Sequence, residues 1–185
     1  MVDADFALIQ ATAQGDHHAF EDLIKRYQTP VLNFIYRYLG DRCAAEDLTQ
    51  ELFLRIYQSA PGFDSRARVS SWIFRIAYNL SINELRRRSR LSKFAVNALL
   101  EGIDYSDETC TESLKRDETL EEIATVLDQL PEKQRAALLL KVNEGLSYRE
   151  IGEVLGTSVA SVESLIFRAR KNLKQLLAKP KQSKE

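Results

Sequence analysis

Apolar residues recur at three- and four-residue spacing along most of the chain, and the breaks between runs hold Gly, Pro, Asp or Ser. That period is the mark of helices with one buried face. Phe6, Ile9 and Ala13 open the pattern, and Gly15 stops it. Asp16 is placed to cap a second helix carrying Phe20, Leu23, Ile24 and Tyr27. Pro30 fits the first turn of a further helix with Val31, Phe34, Ile35 and Tyr38 inward, which Gly40-Asp41 ends. Ala44 to Tyr57 reads as the next, with Leu48, Leu52, Phe53 and Ile56 as its stripe. Ser59 to Val69, with Pro61 and Gly62, reads as a loop. Ser70 or Ser71 then caps a long helix through Trp72, Ile73, Ile76, Ala77 and Leu80 to Arg88. The period weakens from about Leu91 to Lys115 and resumes with Leu120, Ile123, Val126, Leu127 and Leu130. Pro131 starts another helix, with Ala137, Leu138 and Val142, and Gly145 breaks it. Two segments close the pattern, Ser147 to Leu155 and Ser158 to about Leu177.

The expectation is an all-α protein of two small helical domains, residues 4–92 and 116–178, with a flexible acidic linker at 93–115 and a disordered tail at 179–185. Only seven Gly and four Pro in 185 residues are too few turn formers for an all-β chain. Hydrophobic residues at 44% and charged ones at 29% fit a globular protein and exclude wholesale disorder. No apolar run approaches the ~20 residues of a membrane span. The N-terminus carries Asp3 and Asp5 and no base before an apolar core, unlike a secretory signal. Cys43 and Cys110 stand far apart, with no metal-ligand spacing and no disulfide framework, which suits a reducing cytoplasm.

Charge changes the picture. The net charge is -1, yet Ser65 to Lys93 holds eight Lys/Arg against one Asp/Glu. Phe94 to Glu122 holds two against nine, and Glu163 to Glu185 seven against two. Phosphates are met by a face and not by an average, so two basic blocks separated by an acidic one point to nucleic acid.

The segment Ser147-Tyr148-Arg149-Glu150 has the pattern of a capping box. Ile151 and Leu155 lie one turn apart, Gly156 permits a tight turn, Thr157 or Ser158 caps the next helix, and Val162 and Ile166 point inward. This is helix-turn-helix grammar. The outer face of the second helix shows Ser161, Glu163, Ser164, Phe167, Arg168 and Lys171, and Arg170 and Lys174 add phosphate-binding charge. A plain helical hairpin with a solvated charged face would share the pattern. In the other basic block, Trp72, Phe74 and Tyr78 could stack on unpaired bases while Arg75 tracks the backbone, and Arg86, Arg87, Arg88 and Arg90 end the helix. The competing reading makes those aromatics core and those arginines a solvated helix end. Asp47 and Glu51 lie one turn apart beside Gln50, a polar docking face more than a metal or acid-base site, since no His or third carboxylate converges on them. His17 and His18 read as surface residues. No phosphate-cradling glycine loop and no nucleophile motif is present, so neither catalysis nor a metal or other cofactor is expected.

Three ordered pieces resemble a bacterial RNA polymerase sigma factor of the extracytoplasmic-function group of the sigma-70 family. They are Ala45 to Glu51, Ser71 to Asn79, and Leu130-Pro131 through Arg168-Ala169-Arg170. The resemblance spans roughly Ala11 to Leu177. It implies a sigma-2 domain, a linker and a sigma-4 domain that direct core polymerase to promoters and melt them, in a stress or envelope response. By resemblance, Asp47, Gln50 and Glu51 match the docking face for the beta-prime clamp helices. The loop Phe63 to Val69, with Phe63, Ser65, Arg66 and Arg68, matches the one that receives a flipped base of the −10 element. Trp72, Arg75, Asn79 and Asn83 match the helix below it, and Arg86, Arg87 and Arg88 the basic end near melting. Ser161, Glu163, Ser164, Phe167, Arg168 and Lys171 match the face that reads the −35 element. Asn83 stands where the family often has aspartate, and Glu163 and Leu165 where a base is common, so the upstream element is expected to differ.

The family further implies the beta flap of core polymerase, promoter DNA and an anti-sigma factor as partners, with no small-molecule substrate. The Phe53 and Tyr57 side of the first domain and Leu138 to Val142 of the second are candidate surfaces for the anti-sigma factor. The expected location is the cytoplasm, including a form held at the inner membrane by that factor. Two other readings stay open at this level: a one-component regulator using only the helix-turn-helix, and a helical adaptor that leaves both basic blocks without a role.

Overall fold

The computed structural model describes residues 4–64, 68–100 and 125–178. The first domain is built from α1 (Ala4–Ala13), α2 (His17–Leu39), α3 (Arg42–Ser59), a 3-10 turn (Ala60–Gly62) and α4 (Val69–Leu100). After a helical stretch at 125–128, the second holds α5 (Glu132–Val142), α6 (Tyr148–Leu155) and α7 (Val159–Ala178). Among the described residues there is no strand, and no helix is long and apolar enough to cross a membrane. Ser65, Arg66, Cys110, most of the proposed linker and the tail lie outside the described residues.

Local chemistry sets most boundaries. The Asp16 carboxylate accepts from the backbone N–H of His18 and Ala19, so α2 starts there. Gly40 ends it at φ 70, a left-handed conformation that lets its N–H reach the Tyr36 carbonyl. Asp41 caps α3 through the Ala44 N–H at 3.0 Å, so the helix starts at Arg42, two residues before the expected start at Ala44.

Three expectations need correction. Pro30 does not begin a helix; α2 runs through it for 23 residues. The missing Pro N–H and the ring clash disfavour that. The opposing force is a continuous buried stripe, Leu23, Tyr27, Val31, Phe34, Ile35 and Tyr38, that crosses the proline. Each large apolar side chain so buried contributes roughly 1.5–3 kcal/mol. Likewise α4 does not end near Arg88 but continues to Leu100. Weak apolar periodicity does not stop a helix, and no Gly or Pro occurs between Gly62 and Gly102. Its start also differs: the first bond is Trp72 N–H to the Arg68 carbonyl, and Ser71 is buried instead of capping.

The first core packs α2, α3 and α4 around Phe34, Tyr38, Leu52, Ile56, Ile73 and Ala77. Phe34 meets Phe74 edge-on at 5.6 Å, and Tyr38 meets Tyr78 edge-on at 6.0 Å. The second core joins Leu139, Leu140, Ile151, Val154, Val162, Ile166 and Ala169. The domains touch: α5 lies against the end of α2, and α6 against α4.

Candidate nucleic-acid interface

On α4, the residues Ile73, Phe74, Ala77, Tyr78, Leu80 and Ser81 are buried, which leaves the opposite side to Arg75, Asn79, Asn83, Arg86 and Arg90, all exposed. These follow each other by three or four positions and so form one polar stripe. Phe74 and Tyr78, at 2% and 4% exposure, are core and cannot stack on bases as their sequence suggested. Trp72 is half-buried and tilts against Phe63 at 5.0 Å, and Phe63 in turn meets Phe6 of α1 at 6.3 Å. This aromatic corner closes the 3-10 turn against the start of the stripe.

The basic end of α4 is less free than its composition implies. Glu84 accepts two bonds from Arg87, at 2.7 and 2.8 Å, and one from Arg88 at 2.7 Å. Hydrogen bonding from Arg87, aided by Arg88 and opposed by burial, holds the Glu84 carboxyl down at about 2. Arg88 also reaches Asp41 Oδ2 at 2.7 Å, so it braces α4 against the cap of α3. Arg86 stays exposed and lines an open groove with Asn83, Ser89, Arg90 and Glu132 of α5.

On α3, Asp47 and Gln50 are exposed, and Glu51 is half-buried with an ion pair to Arg55 at 2.6 Å. The three share a face with Leu54, which is 63% exposed. Sequence reading missed Leu54 because it lies off the Leu48-Leu52-Ile56 stripe; an apolar residue out of phase with its helix was the available signal. The expected apolar surfaces shift accordingly. Phe53 is buried, while Tyr57 is exposed and carries His17 stacked at 6.1 Å. Leu138, Leu139 and Leu140 are core, and only Val142 of that run is open to solvent.

The second domain has the expected helix-turn-helix. Ser147 and Glu150 form the full capping box of α6. Gly156 turns the chain at φ 62, and Ser158 Oγ accepts the Ser161 N–H at 3.2 Å at the start of α7. Gly152 is needed for contact: a Cβ there would lie 2.8 Å from the Thr157 carbonyl oxygen. Val162, Ile166 and Ala169 bury one side of α7. The other side presents Glu163, Phe167, Arg168 and Lys171 to solvent, with Ser161 and Ser164 half-buried beside them. Phe167 is 70% exposed, a large apolar group on a face that no other described residue covers. Leu165 is half-buried against the core, so it does not belong to this face.

Comparison with known proteins gives a consistent result over both domains. The Sigma-70 region 2 model matches residues 14–91, and the Sigma-70, region 4 model residues 120–173. The ECF RNA polymerase sigma factor SigW of Bacillus subtilis is 33% identical over 178 residues, covering 91% of this chain and 94% of its own. The structure of CnrH in complex with the cytosolic domain of CnrY is similar with a TM-score of 0.73 at 26% identity, covering 95% of this chain and 97% of that one. The sigma factor RpoE in complex with the anti-sigma factor NepR, from Bartonella quintana, shares the fold at a TM-score of 0.69 and 22% identity, covering 85% of this chain and 96% of that one.

Proposed function

The chain belongs to the extracytoplasmic-function group of sigma-70 RNA polymerase sigma factors, and from that premise we propose how its residues divide the work of initiation. The family directs core polymerase to promoters and promotes their melting. In this chain residues 4–92 dock on core polymerase and handle the −10 element, residues 116–178 read the −35 element, and 93–115 link them. The observation that carries this division is the pair of unlike exposed faces. One is a stripe of Asn79, Asn83, Arg75 and Arg86 beside an aromatic corner; the other is the outward side of a helix-turn-helix.

The stripe suits single strands. Asn79 offers an amide donor and acceptor to the edge of an unstacked base, at the rim of a corner made by Phe63 and Trp72, and a base held out of the stack costs a few kcal/mol to expose. Arg75 and Arg86 meet the displaced backbone, and Ser65, Arg66 and Arg68 complete the loop. On α7 the exposed Arg168 and Lys171 meet base edges or phosphates in the major groove, and Glu163 can accept from cytosine N4. Asp47, Gln50, Glu51 and Leu54 form the polymerase-docking strip, acidic with one apolar knob.

An anti-sigma factor is the second partner of this reading. RpoE of Bartonella quintana is seen with one, and the exposed Leu54, Tyr57 and Val142 of this chain are the apolar groups available for such a contact. The working location is the cytoplasm, where polymerase and promoters are.

The test is run-off transcription with purified core polymerase on a promoter library. Transcripts that depend on the chain, together with weakened core capture by Glu51→Lys at moderate salt, are expected. Tight duplex binding by the chain alone, with no transcript from any template, would favour a one-component regulator instead.

A further inference from the structure

α1 and the 3-10 turn border a groove of about 370 Å³, enough for a small planar group. Of the residues that line it, Ile9 and Ala60 are buried, so its floor is apolar. Ala13 adds only a methyl to the α1 side, opposite Pro61 of the turn. Phe6 and Phe63 complete the apolar lining, their ring centres 6.3 Å apart and their planes tilted by 48°. Rings at that angle let a third flat group stack on one and meet the edge of the other.

Gln10 and Gln14 give the groove its polar side. They lie one turn apart on α1, share a face and are both exposed. Neither amide side chain bonds another described residue. Each carries both donors and an acceptor. None of the described residues that line the groove is charged. A phosphate or a carboxylate would therefore find no counter-charge there. A nucleobase finds what it needs: an aromatic face to stack on, and amides for the donors and acceptors along its edge. An aliphatic side chain would leave both amides without a use.

The groove is also continuous with the proposed −10 corner. Phe63 lines the groove, and its ring centre lies 5.0 Å from that of Trp72 at the corner. A strand held at the corner by Asn79 thus has the groove across one phenyl ring. The phosphates of such a strand are left to the arginines of the α4 stripe.

We infer that the groove between α1 and the 3-10 turn is a second base-binding site for the separated promoter strand, in which Phe6 supplies a stacking face and Gln10 and Gln14 bond the edge of an unstacked base. This rests on the proposed function for the identity of the strand. Gripping one base on each side of Phe63 fixes the register of the strand, and base preference at the second position is then set by α1.

The first test uses holoenzyme on a promoter obtained by run-off selection and built with a pre-opened bubble, so that melting does not enter. Bases of the non-template strand in the bubble are removed one at a time, and the lifetime of each complex is measured after heparin challenge. Two positions are expected to shorten the lifetime by about tenfold each, as loss of a stacked base does. Combining Gln10→Ala with Gln14→Ala should reduce the penalty at one of them to about threefold, because stacking on Phe6 remains. The other position should instead depend on Asn79. Both glutamines are exposed on a helix, where alanine is well tolerated. Gln28→Ala, an exposed amide on α2 outside the groove, should leave both penalties as they are. The second test needs no polymerase. The full chain is irradiated with a random-sequence single-stranded DNA 20-mer carrying one 5-iodouracil, which links to an aromatic ring stacked on it. Peptide mapping should find Phe6 linked, with a lower yield in the double glutamine variant. No linkage to Phe6, or no position whose penalty depends on Gln10 and Gln14, would overturn the site. Absence of run-off transcripts would sink the sigma-factor reading, while linkage to Phe6 still decides whether the groove takes a base.

Discussion

The two basic blocks of this chain look alike in sequence and are used differently. In the first block, Arg87 and Arg88 of α4 are held by Glu84 and Arg88 also by Asp41, while Arg68, just before α4, meets Glu150 of the second domain. On α7, Arg168, Arg170, Lys171 and Lys174 are exposed, and no carboxylate among the described residues lies within ion-pair distance of them. The first block spends part of its charge on bracing a surface that must keep its shape while strands separate. The second needs only to lie along a duplex that already has its shape. Counting cations therefore overstates what α4 has free for DNA and describes α7 fairly.

The largest expected effect concerns the packing on which the second face depends. Gly152→Ala forces a Cβ toward the Thr157 carbonyl and should cost about 1–3 kcal/mol in the urea unfolding of the second domain, as overpacking does. The first domain should unfold as before. An unaltered transition would show that the turn yields easily and that α7 is less fixed than the geometry implies.

Next comes a pair of arginine truncations that should behave in opposite ways. Arg88→Ala leaves Asp41 and Glu84 without a shared donor; because Arg88 is about one-third solvent-exposed, the loss is discounted to about 1–2 kcal/mol of stability. Arg168→Ala should leave stability within about 0.5 kcal/mol. It should weaken promoter binding by about 1–3 kcal/mol if it reads a base, and lower the salt slope equally on all sequences if it meets only phosphate. Equal stability losses in the two variants would erase the distinction between a bracing and a reading arginine.

A smaller effect separates two carboxylates by pH. Glu84 is held down at about 2 by Arg87 and Arg88, so its contribution is complete above its ordinary value of 4.5 and is lost as pH falls toward 2. Glu144 has the reverse sign. Burial, opposed by Arg37, pushes it up to about 7, so the folded chain holds its proton more tightly than the unfolded one. Stability then falls as pH rises from about 4.5 through about 7. Thermal unfolding of Glu144→Gln should lack that decline, and Glu84→Gln should lack the loss at the acid end. A Glu144→Gln curve parallel to wild type across that window would show that its carboxyl is solvated.

Much of this architecture was legible in the sequence because it rests on local chemistry. Asp16, the Ser147–Glu150 capping box and Gly156 each satisfy backbone groups within a few residues, and the structure has them in those roles. What failed was tertiary. Pro30 broke a pattern that burial on both sides restored, and Phe74 and Tyr78 looked like a stacking platform until Phe34 and Tyr38 covered them. Arg88 and Arg135 are read as surface cations by any local rule. Their partners Asp41 and Tyr38 lie 47 and 97 residues away, beyond what spacing can reveal. On the helix-turn-helix the expected outward residues Glu163, Phe167, Arg168 and Lys171 are exposed, since one buried stripe of α7 fixes the opposite face, while Ser161 and Ser164 lie half-buried at its edge.

The division between a melting face and a reading face is tested most directly by scoring occupancy and opening separately on one promoter, with holoenzyme carrying Asn79→Ala or Arg168→Ala. DNase protection would measure occupancy and permanganate reactivity of thymines would measure opening. Asn79→Ala should protect the promoter about as well as wild type while losing most permanganate reactivity. Arg168→Ala should lose protection at low enzyme concentration, yet open normally whatever fraction it binds. Wild-type permanganate reactivity in Asn79→Ala, or a loss of opening in bound Arg168→Ala complexes, would contradict the account.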